Sequence, residues 1–412
     1  MITINGPRLR DAIDSLAQYG GHPPHGITRS TFSPEYEAAR HFLKDAATAA
    51  GLTAYDDAVG NLFVRVGPPD GRCVMSGSHI DTVPGGGPLD GAYGVLAAIE
   101  VAQVLKERAI RLPLAFEAAA FVEEEGRFYD ILGSKAVAGQ LTWAEIASAR
   151  DANGILLTDA MRACGFNPEK FESAIRTDIA AYVELHIEQG PVLEAHGVPI
   201  GVVDEITGGR QIEYTFKGET GHAGTVPMNL RRDAMMGALD FMYGAREMVL
   251  REGTKDRVRL TFGVVSAGPG FPTRIPNSVR IVQEIRDFDQ ALLDRLTSQS
   301  VAIAEGAARD ARLDLEWREI CAAVPAKMHA SVLGHIAASA KEFGLATLQM
   351  PSGAGHDAQV IATIAPSGMI FVPSRGGVSH REDEWTDFEL LEKGANVLLS
   401  SVLRLIEQHG QD

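Results

Sequence analysis

The chain lacks most of the features that mark specialised protein classes. Cysteine is scarce: Cys73, Cys164 and Cys321 are odd in number, far apart and free of any C-x-x-C, which excludes a disulfide framework and a cysteine-based zinc site. No apolar run reaches the ~18–20 residues of a membrane helix. The opening Met1-Ile2-Thr3-Ile4-Asn5-Gly6-Pro7 lacks the basic, apolar and small-residue blocks of a signal peptide, which predicts a cytoplasmic location. Basic residues are in deficit: 38 Lys and Arg against 54 Asp and Glu give a net charge of −16, unsuited to nucleic acid or an anionic membrane as partner. The glycine-rich stretch 85–94 holds neither G-x-G-x-x-G nor a P-loop pattern, so phosphate binding is unsupported. No internal repeat or low-complexity tract occurs. What remains is ordinary globular composition, 45% hydrophobic and 22% charged, over 412 residues. That length suits two or three domains at about 100–200 residues each.

Hydrophobic periodicity divides the chain into three stretches. Helical signals lead (Leu9 to Ala17, Tyr36 to Ala50), followed by a buried strand Cys73 to His79, a helix Gly91 to Arg108 and a strand Leu112 to Val122. Residues 133–176 read as mostly helical, and Ala180 to His186 as a strand. Strands alternating with helices imply crossover connections in a mixed, largely parallel sheet with helices on both faces. The middle differs. Its order is strand (Gln211 to Lys217), helix (Arg231 to Arg251), two strands (Val258 to Val265, Ser278 to Asp287), helix (Ala291 to Ala308) and strand (Arg312 to Ile320). That is the order of a ferredoxin-like α+β unit. From about Val324 the first pattern returns. The expected fold is α/β: a discontinuous domain, residues 1–210 and 323–412, interrupted by an inserted α+β domain, residues 211–322.

Acids and histidines gather where strands end. His79 closes one strand, with Asp81 two residues on and Asp90 at a loop-to-helix junction. Glu124 and Glu125 follow the next strand, His186 ends another, and His380 follows Val372-Pro373-Ser374. Ligands of open α/β sheets bind beyond the carboxyl ends of the strands, so these groups can converge. Imidazoles and carboxylates together suit a pair of divalent ions, Zn²⁺ foremost, with Mn²⁺, Co²⁺ or Ni²⁺ as alternatives. A carboxylate can bridge two ions about 3.5–4 Å apart. Of two adjacent glutamates, one can ligate while the other serves as general base, and Asp81 can accept the second ring proton of His79. Singly, a strand-end histidine, an acidic triplet or an Asp-Gly turn is ordinary structure; the ordered set carries the reading.

That set, Ser78-His79-Ile80-Asp81-Thr82-Val83-Pro84, Asp90-Gly91, Glu124-Glu125-Gly126, Glu184-Leu185-His186-Ile187-Glu188-Gln189-Gly190 and Ser379-His380, resembles the M20 metallo-aminohydrolase family. The Glu-Leu-His-Ile-Glu-Gln-Gly motif and Gly221-His222-Ala223-Gly224-Thr225-Val226-Pro227-Met228 resemble its amidase/hydantoinase branch, which holds N-carbamoyl-L-amino acid hydrolases, allantoate amidohydrolases and β-ureidopropionases. The resemblance covers nearly the whole chain. It implies metal ligands His79, Asp90, Glu125, His186 and His380, with Asp90 bridging, and Glu124 as general base beside Asp81. It implies that the inserted domain is a lid that forms a homodimer, and that His222 stabilises the oxyanion, commonly in the partner's site. Asn277 and Arg286 match positions that hold a substrate carboxylate; Gln189, Gly353, Ala354 and His356 match other substrate-contacting positions. Without the resemblance, Arg286 reads as an ordinary strand arginine, His222 as a loop histidine and Asn277 as turn chemistry after Pro276. The chain departs from the family where Gly126 meets Arg127-Phe128 directly, and at Gly87-Pro88-Leu89.

The implied activity is hydrolysis of a C–N bond in an N-carbamoyl-L-amino acid, releasing the amino acid, CO₂ and ammonia. Allantoate or another ureido acid is the first alternative; an N-acyl amino acid amidase or aminopeptidase is the second.

Overall fold

The computed structural model describes residues 1–22, 24–252 and 257–410. They form two compact units, Met1–Glu205 with Lys327–Asp412, and Ile206–Ala326. The described strands, in chain order, are β1 (Thr53–Asp56), β2 (Leu62–Val66), β3 (Cys73–His79), β4 (Ala115–Phe121), β5 (Ile179–Ile187), β6 (Ile200–Ile206), β7 (Gly208–Lys217), β8 (Arg259–Gly268), β9 (Ser278–Asp287), β10 (Asp314–Ala323), β11 (Ala326–Lys327), β12 (Thr347–Ser352) and β13 (Ser367–Val372).

The larger unit is built on a nine-stranded sheet in the order β1-β2-β4-β3-β5-β13-β6-β11, with β12 also paired to β6. Its centre, β4-β3-β5-β13, is parallel. The pairs β1–β2, β2–β4 and β6–β13 are antiparallel. All residues of β3, β4, β5 and β13 are buried, as expected of parallel strands covered on both faces. The helix Ala92–Glu107 packs on β3, β4 and β5 and is buried on nearly every side, while Phe388–His409 buries an apolar stripe from Leu391 to Ile406.

Local sequence explains the element ends. Ser33 caps the helix Pro34–Ala49, its hydroxyl accepting the Tyr36 N–H at 3.2 Å, with Pro34 in the first turn where no N–H is needed. Thr142 and Glu145 form a reciprocal capping box on Trp143–Ser148. The hairpin β1–β2 has no strong sequence signal. Its strands are short, and its turn is closed by the Asp57 carboxylate, which accepts the N–H groups of Val59, Gly60 and Asn61 at 2.9–3.0 Å.

The smaller unit runs β7, helix Ala234–Arg251, β8, β9, helix Gln290–Asp310, β10, in an antiparallel sheet ordered β10-β7-β9-β8. This is the ferredoxin-like order of elements. Burial alternates along β7 and β9. One face, with Ile212, Tyr214, Phe216, Val279 and Ile281, packs on Ala238, Phe241 and Ala304 from the helices. The unit boundaries fall a few residues outside 211 and 322. The reason is that β6 pairs with β13 of the large sheet and β7 follows almost at once, so the chain passes from one unit to the other between Glu205 and Ile206.

Candidate metal centre

Four adjacent parallel strands deliver the strand-end groups. His79 is the last residue of β3, Glu124 and Glu125 follow β4, His186 lies at the end of β5, and His380 follows β13. Because β4, β3, β5 and β13 are neighbours, all four carboxyl ends lie along one edge. The chain winds from β3 to β4 on one side and then to β5 on the other, and ligand crevices open at such a switch point.

Asp90 stands at the middle. Its Oδ1 lies 3.2 Å from His186 Nε2 and its Oδ2 3.0 Å from His380 Nε2. Two sets of three donors share it: His79, Asp90 and His186, and Asp90, Glu125 and His380, each offering atoms within 4.8 Å of one another. His79, Glu124 and Glu125 form a third set, with Glu124 Oε2 3.6 Å from His79 Nε2. All five expected ligands and Glu124 are therefore gathered in one place.

The histidine rings are oriented from behind. His186 Nδ1–H donates to the Ile187 carbonyl at 2.8 Å and His79 Nδ1–H to the Asp81 carbonyl at 3.0 Å, which turns both Nε2 atoms toward the site. The brace on His79 differs from the sequence expectation. The Asp81 carboxylate stands 3.7 Å from the ring, beyond hydrogen-bonding range, because its other oxygen accepts the Glu125 N–H at 3.0 Å. Asp81 thus steadies His79 through its main chain and Glu125 through its side chain.

The backbone is strained at and beside the expected ligands. Glu123, Gln189 and His380 all have positive φ, near +60°. Gly91, the residue after Asp90, has φ 61° and ψ −50°, and the Ala92 N–H closes a γ-turn on the Asp90 carbonyl. The turn lets the Gly91 N–H reach His186 Nε2 at 3.0 Å and leaves the His79 ring where a Cβ would be.

Electrostatics match a cationic guest. Burial, then the charges of Glu125 and Asp357, push the Glu124 carboxyl well above the usual range; burial and Asp90 push Glu125 up to about 8. His380 is raised to about 9 by its bond to Asp90. His186 reaches about 9 although burial opposes its charge, because Asp90 outweighs burial. Glu125 Oε1 is buried without a hydrogen-bond partner, as is Asp81 Oδ1. Crowded carboxylates, an orphaned Glu125 oxygen and imidazole Nε2 atoms turned toward Asp90 fit divalent ions.

Other expected residues are placed as follows. The Gln189 amide nitrogen donates to Asp90 Oδ1 at 3.0 Å and Ser379 Oγ at 3.2 Å. Gly353 and Ala354 lie in the loop after β12, where Ser352 Oγ accepts the Ala354 N–H and reaches His356 Nε2 at 2.9 Å. His356 is buried against His186, ring centroids 4.7 Å apart, and forms with Glu184 and His186 a further donor set. His222, Asn277 and Arg286 belong to the smaller unit. His222 is exposed, its Nδ1 accepting the Gly224 N–H; Asn277 is exposed just before β9; Arg286 is half-buried and pairs with Glu284 at 2.9 Å. Sequence reasoning gave no role to Glu184, Gly91 or Glu384. Glu184 sits two residues before His186 on the same face of β5, a spacing that could have marked it.

The sequence pattern of peptidase family M20/M25/M40 matches residues 75–404. The chain is 37% identical over 410 residues to an N-carbamoyl-L-amino acid amidohydrolase of Geobacillus stearothermophilus, covering 98% of this chain and 99% of that protein. It is also 37% identical over 403 residues to an allantoate amidohydrolase of Bacillus subtilis (strain 168), covering 96% and 97%. Among solved structures it is similar to an amidase of the hydantoinase/carbamoylase family from Burkholderia vietnamiensis, with a TM-score of 0.89 and 33% identity over 98% of both chains.

Proposed function

The chain belongs to peptidase family M20/M25/M40, in the branch of the N-carbamoyl-L-amino acid and allantoate amidohydrolases, and is a hydrolase of C–N bonds; on that premise we propose that it cleaves N-carbamoyl-L-amino acids with the help of two divalent ions. The observation that carries the two-ion reading is Asp90, one oxygen beside His186 and the other beside His380, each in its own donor set. His79 and His186 would hold one ion, Glu125 and His380 the other, with Asp90 common to both. When bound, such ions polarise a carbonyl and lower the pKa of water.

The residues supply the rest. Glu124, largely shielded from solvent and free of ligand duty in this scheme, takes the proton of the attacking water and returns it to the leaving nitrogen. The water oxygen bonds to the carbamoyl carbon, the C–N bond breaks, and the carbamoyl half ends as CO₂ and ammonia. His222 donates to the developing oxyanion, and Arg286 offers a planar fork to the substrate carboxylate.

Strand geometry bears on how many copies build the site. Asn277 precedes β9 and Arg286 is its penultimate residue; nine residues of strand span roughly 30 Å. One copy therefore cannot bring both to one carboxylate. A site holding both needs Arg286 from one copy and Asn277, with its neighbour His222, from another. A homodimer through the smaller unit is supported by an exposed stripe on Ala234–Arg251 (Met236, Leu239, Tyr243 and Leu250, spaced at helical intervals). The adjacent edge strand β8 exposes Val264 and Val265.

Allantoate is the second reading, since it too carries a carboxylate beside a ureido group and the chain is equally identical to an allantoate amidohydrolase. The test is ammonia release by metal-reconstituted protein from N-carbamoyl-L- and D-amino acids, allantoate and β-ureidopropionate, beside amino acid release from N-acyl amino acids. N-carbamoyl-L-amino acids should be cleaved fastest. Preference for N-acyl substrates would overturn the proposal.

A further inference from the structure

Glu384 lies outside the expected ligand set, yet it is buried and joins two loops that carry ligands. Its Oε1 accepts the N–H groups of Leu89 at 3.1 Å and Asp90 at 3.0 Å; its Oε2 accepts the Ser379 hydroxyl at 2.8 Å. Ser379 precedes His380 and also receives the Gln189 side-chain amide. The two loops are 290 residues apart in sequence, and one carboxylate holds both.

The two ligands it governs differ in how else they are held. Asp90 is fixed on its far side by the γ-turn at Gly91 and by burial. His380 is exposed, with a positive φ of 57° that a histidine adopts only when its surroundings hold it there. Space for the clamp comes from Gly87: a Cβ there would overlap Glu384 Cβ, Cδ and Oε1. Gly87 belongs to the Gly87-Pro88-Leu89 stretch that departs from the family pattern. The clamp acts mainly on the donor set of Asp90, Glu125 and His380, because in the set of His79, Asp90 and His186 both histidines are braced by main-chain carbonyls, those of Asp81 and Ile187.

We infer that Glu384 is a positioning residue that sets the separation of Asp90 and His380, and so controls occupancy of the second of two metal positions. The inference rests on the two-ion reading, but its test does not depend on it alone. Glu384→Ala removes all three acceptor links. Glu384→Gln keeps an oxygen for the two amides and an amide that can donate to Ser379 Oγ. In metal-free protein, hydrogen exchange at Leu89 and Asp90 reads the clamp directly: the Ala variant should exchange faster there and the Gln variant should stay protected. In loaded protein the Ala variant should drop from two ions per chain toward one. The weaker ion should lose ~10–100-fold in affinity, as outer-shell changes typically cost. The cobalt-loaded form should lose the absorption of that ion, and kcat should fall while KM holds; Gln should restore both.

An Ala variant with wild-type exchange at Leu89 and Asp90, or with two ions at wild-type affinity, overturns the inference. If the unaltered chain fails to bind two ions, the two-ion reading fails instead, and the exchange measurement still decides whether Glu384 clamps the loops.

Discussion

Replacing Gly91 by alanine tests whether the metal centre is built on one unusual turn. Gly91 has φ 61° and ψ −50°, a γ-turn conformation outside the allowed regions for L-residues. Holding alanine there costs about 1–3 kcal/mol of backbone strain. The added Cβ would also lie inside 3.0 Å of Cδ2, Cε1 and Nε2 of the His79 ring, a separation that real Cβ atoms essentially never show. His79 is buried, so the ring cannot swing into solvent, and overpacking of this kind costs a further ~1–3 kcal/mol. The metal-free variant should therefore be about 2–6 kcal/mol less stable in denaturant unfolding. Alternatively the ring retreats by on the order of 1 Å, a misplacement that costs ~100-fold in rate when the group is catalytic. The assay combines denaturant midpoints of metal-free protein, metal per chain and ammonia release. Stability, metal content and turnover all at wild-type level would refute the reasoning, because the turn would then be incidental to the site.

Other consequences are equally direct. Glu124→Gln should keep its metal and lose nearly all turnover; substantial residual activity removes Glu124 from the base role. Mixing inactive His222→Ala and Arg286→Ala chains should restore part of the activity through hybrid dimers, and no recovery would argue for sites contained in one copy. Chelation should abolish activity, and Zn²⁺, Mn²⁺, Co²⁺ or Ni²⁺ should restore it; unchanged activity after verified metal removal would exclude the two-ion mechanism. Glu117, fully buried, accepts from Tyr55 at 2.7 Å, Arg176 at 2.8 Å and Arg65 at 3.0 Å. Burial alone would raise its pKa, but Arg176, Tyr55 and Arg65 outweigh burial and lower it. A carboxylate lowered on folding stabilises above its unfolded pKa of 4.5 and loses that contribution as pH falls further. Glu117→Gln should thus cost about 3 kcal/mol at neutral pH, less below pH 4.5, in metal-free unfolding curves; a penalty independent of pH would contradict it.

Much of the α/β plan was legible because parallel strands buried on both faces leave near-continuous apolar runs such as Ala115–Phe121 and Ile179–Ile187. The hairpin β1–β2 escaped because a side-chain carboxylate closes its turn, and β6 because residues 200–206 carry no period that separates them from the short helix before. The gathering of His79, Asp90, Glu125, His186 and His380 was legible because His79 and His186 end strands, Glu125 and His380 follow strands, and the ends of neighbouring parallel strands meet. What stayed hidden acts across sequence distance. Glu384 works on a loop 294 residues away, and the Asp81 carboxylate serves Glu125 instead of His79. That Arg286 and Asn277 stand at opposite ends of one extended strand, so that a shared site needs two copies, is not visible from a separation of nine residues.

The central claim is that two divalent ions share Asp90. Anomalous diffraction from crystals of the zinc-loaded chain tests it most directly. Two peaks about 3.5–4 Å apart should straddle the Asp90 carboxylate, one near His79 and His186 and the other near Glu125 and His380. A single peak, or metal held instead by Glu184, His186 and His356, would contradict it.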